Sequence, residues 1–512
     1  MIRHISLGAG MLASVLVIGC SSSDGVPSTG PDLSGTGRKA QVNGAITGFG
    51  SLIVDGTRYT TTDTVVDIER GTGRIDDLEV GMRVALQSED GRALVVRYRD
   101  TLEGRVSAID RENQQFTALG QTVVVDALTT FDDVSLATLQ VNDRVEVSGA
   151  LDEDGRIRAS YIERDDDIND DDELIGRIGT VDSAARRFTI GALTIDYGTA
   201  DIDDLPNGPI VDVLVEVEGR EQTDGLFIAT DVEAVPTVIR APGDDTPISA
   251  QSTVVVGVVR DLSANGDRFR LDNLIVQVGP ETQLDPNGGQ TLANGRRVRV
   301  EGERIDDESI RALGLFIVPS VTVELDGTVE AVDSAAETLT LLGGFVVTML
   351  NNTRFRDDSD DNRREFGLAD IQPGDRVEIA GFVRDNAVFA LRVERDDDDK
   401  DDDGDGERDD EKLSGPVSAL DPAARQFVIN GTTVQVTDAT EFDDIEDESR
   451  FFAQVQPGDR VEAEGRFDAA TGVFIAAEIE PQDAGDFDDD FDDDDADDSD
   501  GDGDGDGDDD DD

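Results

Sequence analysis

Asn142-Asp143-Arg144-Val145-Glu146-Val147-Ser148-Gly149 returns as Gly374-Asp375-Arg376-Val377-Glu378-Ile379-Ala380-Gly381 and again as Gly458-Asp459-Arg460-Val461-Glu462-Ala463-Glu464-Gly465. Apolar and polar residues alternate with a period of two. That pattern predicts a half-buried antiparallel strand with one face turned to a core. The Gly-Asp or Asn-Asp pair in front supplies a chain reversal. Weaker versions run Gly81-Met82-Arg83-Val84, Val215-Glu216-Val217-Glu218-Gly219 and Arg297-Val298-Arg299-Val300-Glu301-Gly302, giving six occurrences.

This strand is the fourth in a repeated unit. Each unit opens on a glycine two residues before Val or Ile: Gly44, Gly104, Gly176, Gly257, Gly327 and Gly415. A second strand follows in several copies, as in Phe116-Thr117-Ala118-Leu119 and Phe427-Val428-Ile429, and a third such as Val123-Val124-Val125. A looser piece (136–140, 368–372, 452–456) has room for one helical turn before the quoted fourth strand. A fifth strand such as Ile157–Ile162 closes the unit. Five strands with a helical element between the third and fourth predict an all-β chain of about six tandem, small, five-stranded, antiparallel OB-like barrels. The opening glycines are 60 to 88 residues apart. A stacked solenoid needs a fixed period, so this spacing predicts separate beads on acidic or Pro-containing linkers.

The expected organisation is a signal peptide at 1–19, a lipid-anchored flexible tether at 20–41, and β repeats at 42–100 and 101–164. An acidic linker at 165–173 follows, then a repeat at 174–235, a linker at 236–252, and repeats at 253–320 and 321–395. A second acidic linker spans 396–411, a sixth repeat spans 412–481, and a disordered Asp-rich tail spans 482–512. Phe116, Phe188, Phe269 and Phe427 alternate with polar neighbours, which is core spacing. Arg144, Arg376 and Arg460 recur before the motif's first valine and are expected to pair with nearby acids on the barrel surface.

The composition excludes several function classes. The chain has 512 residues and a net charge of −72, with one His, one Cys and no Trp. Nucleic-acid binding rests on Lys and Arg neutralising phosphates, so no nucleic-acid partner is expected. One cysteine makes no internal disulfide. Catalytic triads and His/Cys zinc sites lack their residues once His4 is removed with the leader. Four Tyr and no Trp leave little to stack on a sugar ring, and the expectation is that the chain is not an enzyme.

The first twenty residues give the address. Arg3 precedes an uncharged apolar stretch, Ile5 to Ile18, which is too short to span a bilayer and suits a signal peptide. It ends Val17-Ile18-Gly19-Cys20 and continues Ser21-Ser22-Ser23. This resembles the bacterial lipoprotein signal, in which cleavage precedes the cysteine and lipid is attached to it. The resemblance implies lipidation of Cys20 and an exported, lipid-anchored place in a bacterial cell envelope. Ser21 resembles outer-membrane sorting. The repeats resemble an uncharacterised bacterial domain-of-unknown-function family found as tandem copies in exported lipoproteins. That family has no established activity to carry over.

Half of the charge is concentrated in three runs. Residues 165–173, 396–411 and 482–512 carry net charges of −7, −10 and −20. Asp399, Asp401, Asp403, Asp405 and Asp410 match the ligand spacing of a Ca²⁺ loop with Gly404 as the turn, and Asp498, Asp500 and Asp502 do so before Gly503. Neither match has flanking amphipathic helices. Two functions are therefore expected. The first is a membrane-anchored binding or structural array for an unknown envelope or extracellular ligand. The alternative is a cation-buffering or weakly Ca²⁺-responsive protein, with Ca²⁺ as the only ion implied and no other cofactor.

Overall fold

The computed structural model describes residues 39–481 apart from 70, 112, 166–170, 204, 224, 286–290, 342–343, 360, 385–386, 397–410, 430–431, 444, 446, 469–470 and 472. The quoted motifs are strands Arg144–Leu151, Arg376–Arg384 and Arg460–Asp468. Val145, Val147, Val377 and Val461 are fully buried, as the alternation requires. The reversal in front of them is left-handed, at Asn142 (φ 78°), Gly374 (φ 102°) and Gly458 (φ 110°). Copies 3 and 4, whose sequences lose the Gly-Asp pair, place Asp212 and Gly295 in the same conformation.

The glycine that ends the motif has a different role. Register slips there, between Ser148 and Gly149, Ala380 and Gly381, and Glu464 and Gly465. A Cβ at these glycines would stand 2.6, 2.3 and 2.2 Å from the carbonyl oxygens of Arg158, Phe389 and Ile475. The position is a β-bulge that brings the fourth strand against the fifth, and only glycine fits.

Copy 2 illustrates the pairing. Its first strand, Leu102–Asp110, is antiparallel to both Gln115–Ala118 and Arg144–Leu151. Gln121–Val124 pairs with Gln115–Ala118 and runs parallel to Ile157–Asp165, which is antiparallel to Arg144–Leu151. The helical turn before the fourth strand is an α-helix in copy 6, Glu448–Gln454, with Asp447 accepting from the Arg450 N–H as its cap. The corresponding stretches 136–140 and 368–372 hold turns only.

The copies do not stay separate. Leu102–Asp110 of copy 2 pairs with Asp172–Asp182 of copy 3, and Val323–Asp333 of copy 5 with Glu411–Asp421 of copy 6. Lys39–Gly48 of copy 1 pairs in parallel with Ser252–Val258 of copy 4, skipping the two copies between. Among the described residues the outcome is three sheets of 12, 11 and 11 strands, each shared by two copies. One apolar core likewise runs through copies 2 and 3 and another through copies 5 and 6. Phe116, Phe188, Phe269 and Phe427 sit in these cores and that of copy 4, at most 1% exposed.

This corrects the expected fold class. The chain is all-β, but it is not a set of discrete, closed OB-like barrels on linkers. It is a β-solenoid of stacked coils, because the strands of one copy continue the sheet of another. Unequal spacing does not make separate beads here, because the surplus length does not interrupt the sheets. Residues 236–252, expected as a linker, dock on copy 1. The side chain of Gln41 donates to the Ile239 carbonyl (2.9 Å) and accepts from its N–H, while Gln87 accepts from the Ala241 N–H and donates to Asp244. Ile239 and Gln251 are buried. Around the acidic runs, Asp165 ends a strand and Asp172 opens the next, and Asp396 and Glu411 do the same.

Candidate metal centre and adjoining cleft

The joint between copies 2 and 3 lines up like charges. Glu103 stands opposite Glu173 across the copy boundary. The same row continues on one side through Glu146, Glu163 and Asp132, and on the other through Glu218 and Asp231. Seven acids therefore share one row across seven strands, although like charges directly opposite repel. They follow from the motif itself. The residues that alternate with its buried valines must face outward, and here those residues are acidic.

Copy 1 closes over the row. Only Arg99, Asp100 and Thr101 separate strand Arg92–Tyr98 from strand Leu102–Asp110. Asp100 is buried; it accepts from the Tyr98 hydroxyl (2.6 Å), and its own N–H donates to Glu69 (3.0 Å). Glu69 occupies a left-handed turn (φ 43°) between two strands of copy 1. Carboxylate oxygens of Glu69, Glu173 and Glu216 lie within 4.8 Å of one another, as do those of Glu103, Glu146 and Asp165. Ca²⁺ binds oxygen at ~2.3–2.6 Å, so two ligands of one ion stand at most ~5 Å apart. One ion can reach each trio.

The protons report the crowding. Burial, then the charge of Asp100, pushes Glu69 up to about 8. Burial, then Glu69, pushes Glu173 up to about 10. Burial and Glu103 push Glu146 up to about 8, and Asp100 rises well above the usual carboxylate range through burial and Glu146. The two trios differ in their counter-charge. Arg144 lies among Glu103 (2.5 Å), Asp165 (2.5 Å) and Asp172 (2.7 Å). No basic side chain pairs with Glu173 among the described residues, and its Oε2 is buried without a hydrogen-bond donor.

The joint between copies 5 and 6 shows what the arrangement lacks. Its row runs Glu394, Glu378, Asp326, Lys412, Glu464, Glu478 and Glu441. Asp326 takes the place of Glu103, and Lys412 takes the place of Glu173. The ammonium of Lys412 meets Glu464 at 2.5 Å and Glu462 at 3.5 Å. One joint has a lysine at its centre and the other a carboxyl.

Beside the first trio opens a cleft of about 970 Å³, built by copies 1 to 4. Glu216 belongs to both trio and cleft, and Arg99, also in the cleft lining, stands 3.6 Å from it. Arg83, Arg97, Arg270, Arg304, Asp272 and Asn273 project from walls that are otherwise rich in valine and leucine. Burial pushes Arg304 down to about 10, and its guanidinium donates to the Thr237 carbonyl (2.6 Å) and to Thr253 (3.0 Å). Asp212, Glu233, Asp307 and Glu308 also line it, so the cleft offers mixed charge over apolar patches, which suits a polar or zwitterionic ligand.

Among the expected site residues, Cys20, Asp399, Asp401, Asp403, Asp405, Asp410, Asp498, Asp500 and Asp502 all lie outside the described residues. Arg144, Arg376 and Arg460 do pair with acids: Arg376 meets Asp326 at 2.9 Å and Arg460 meets Glu324 at 3.1 Å. Arg144 is buried rather than on a surface. The sequence reading missed Glu69, Glu103, Glu146, Glu173 and Glu216. Its available signal was an acid placed one or three residues before an opening glycine, as at Glu103 and Glu173.

The family described as "Domain of unknown function (DUF5666)" matches residues 103–163, 176–233, 256–314, 326–394 and 414–480. The chain belongs to this DUF5666 family. The five matches fall on copies 2 to 6. Glu103 and Glu146 are thus inside a match, and Glu173 lies three residues before the next. No curated protein matches the chain. Among solved structures, the chain named "drosophila Unr CSD456" is 15% identical and covers 45% of this DUF5666 chain and 97% of its own length, at a TM-score of 0.16.

Proposed function

We propose that this DUF5666 protein is an exported, lipid-anchored lipoprotein of a bacterial envelope, sorted to the outer membrane, whose copies form one rigid binding platform. The observation that carries the binding reading is the cleft of about 970 Å³ built by four copies, with charges of both signs converging on it. The Val17-Ile18-Gly19-Cys20 signal supports the anchoring. The reading includes no catalytic step. Val211, half exposed at the cleft, offers the test. The envelope ligand retained by the wild-type protein should be retained less by Val211→Trp, which narrows the cleft without touching a core. Equal retention by both proteins refutes the cleft as the site.

A second reading, a Ca²⁺-responsive protein, is favoured by the Glu69, Glu173 and Glu216 trio. Glu69 and Glu173 hold protons near neutrality, so an ion entering the trio must displace them. Calcium titration in two buffers of different ionisation enthalpy should show at least one proton released per ion, and Glu173→Gln should abolish that component. Binding without proton release, or unchanged in the variant, removes the trio from this role.

A further inference from the structure

A second polar cavity, of about 60 Å³, lies where copies 1, 2, 4 and 5 meet. Water needs only ~10–15 Å³ by this measure, so there is room for a small polyatomic ion. Five arginines line it: Arg83 from copy 1, Arg158 from copy 2, Arg297 and Arg299 from copy 4, and Arg354 from copy 5. In a chain of net charge −72 this is a local inversion of sign. Asp55 is the one acid in the lining among the described residues.

The fold brings Asp55 there deliberately. It lies at the tip of the hairpin between strands Leu52–Val54 and Thr57–Tyr59, at φ 45°. A Cβ on Gly44 would stand 1.7 Å from the Asp55 carboxylate, and a Cβ on Gly56 would stand 2.5 Å from the Asn351 carbonyl. Two glycines thus clear the way for the hairpin tip.

One carboxylate does not balance the cavity. Arg299 also has Glu301 as a partner, and Arg83 and Arg158 have Asp272 and Asp152 at 3.8 Å. Buried Arg354 donates to the Leu128 carbonyl (2.7 Å), a neutral group. Arg297 makes no side-chain hydrogen bond or ion pair among the described residues. The Nε atoms of Arg158 and Arg299 and the Oδ2 of Asp55 are buried without a partner. Burial, then the charge of Arg297, pushes Arg354 down to about 10. A positive charge this poorly compensated among largely buried side chains calls for an anion. Guanidinium forks match tetrahedral oxyanions in shape and hydrogen bonding.

We propose that this cavity binds one small tetrahedral oxyanion, of the phosphate or sulfate type, which ties four copies together. Equilibrium dialysis of the full chain with labelled inorganic phosphate, at constant ionic strength in chloride, tests it. One phosphate should be retained per chain, unlabelled sulfate should compete, and phosphate should raise the melting temperature above the chloride control. Arg297→Gln, which breaks no existing pair, should weaken binding at least tenfold, and Asp55→Asn, which removes a competing carboxylate, should tighten it. Glycerol phosphate serves as a third arm. Binding as tight as phosphate assigns the site to a phosphomonoester on a larger ligand, and binding of the free ions alone assigns it to the ion. Retention no greater than in chloride, or unchanged retention in both variants, overturns the proposal.

Discussion

Replacing Glu173 with lysine should stabilise the apo protein, because it copies the Lys412 joint into the joint between copies 2 and 3. Glu173 stands in register with Glu103 on one side and Glu218 on the other. Cross-strand charge pairs contribute ~0.2–1 kcal/mol each, and two new attractive pairs, together with the proton that a carboxyl at 173 no longer has to hold above its ordinary range, give about 1–3 kcal/mol after allowance for solvent screening. The gain depends on pH in a defined direction. Glutamates ordinarily titrate near 4.5, whereas Glu69 and Glu146 rise to about 8 and Glu173 to about 10 in the folded chain. Across that window the native state holds more protons than the unfolded state. Wild-type stability is therefore fully present below pH 4.5 and lost as pH climbs through the folded values. Lysine at 173 stays charged in both states and removes its share of the loss. Denaturant unfolding in chelator at pH 5 and pH 8.5, for wild type and Glu173→Lys, measures the effect. The variant should lead by about 1–3 kcal/mol at pH 8.5 and by less at pH 5. Calcium should stabilise wild type only. A variant that is less stable at pH 8.5, or one that calcium stabilises equally, rules out a destabilising carboxyl at position 173.

Gly381→Ala should destabilise copies 5 and 6 by at least ~2 kcal/mol, read as a lower unfolding midpoint, since the new Cβ meets the Phe389 carbonyl oxygen at 2.3 Å. Residues 237–251 should resist limited proteolysis in the native chain, and Gln87→Ala, which breaks the hydrogen bonds to Ala241 and Asp244, should make them cleavable. Cys20→Ser should abolish palmitate labelling in a lipoprotein-processing host and release a soluble or uncleaved form; a variant that matures normally and stays membrane-bound ends the lipoprotein reading. Isothermal titration of peptides 396–411 and 482–512 should show weak Ca²⁺ binding, close to that of Mg²⁺ and largely removed by ~0.15 M salt.

The strands, the buried phenylalanines and the turn glycines were legible because each depends on neighbours within a few positions. Period two puts Val145 and Val147 inward whatever the rest of the chain does. It does not say what the outward face meets. Glu103 and Glu146 read as ordinary solvent-facing acids, yet strand Asp172–Asp182 lies beside Glu103 and the buried carboxyl of Asp100 crowds both. The same gap hid the architecture. Ala40 pairs with Ser252, and nothing local to either residue signals a partner so distant. The motif's last glycine was visible in the sequence, but its reason, the close approach of a carbonyl oxygen on the next strand, became visible only in the pairing.

The joining of copy 1 to copy 4 has a consequence for the order of events at birth. Synthesis proceeds at ~5–20 residues per second, so the strand of copy 1 waits roughly 10–40 s for its mate to emerge. During that interval its edge offers unpaired amides to any strand that passes, and copies 2 and 3 emerge first with closely similar sequences. They are drawn off by each other, through Leu102–Asp110 and Asp172–Asp182. The antiparallel joint between near neighbours thus acts as a timer: by consuming the nearer candidates, it keeps the first edge free for the later one.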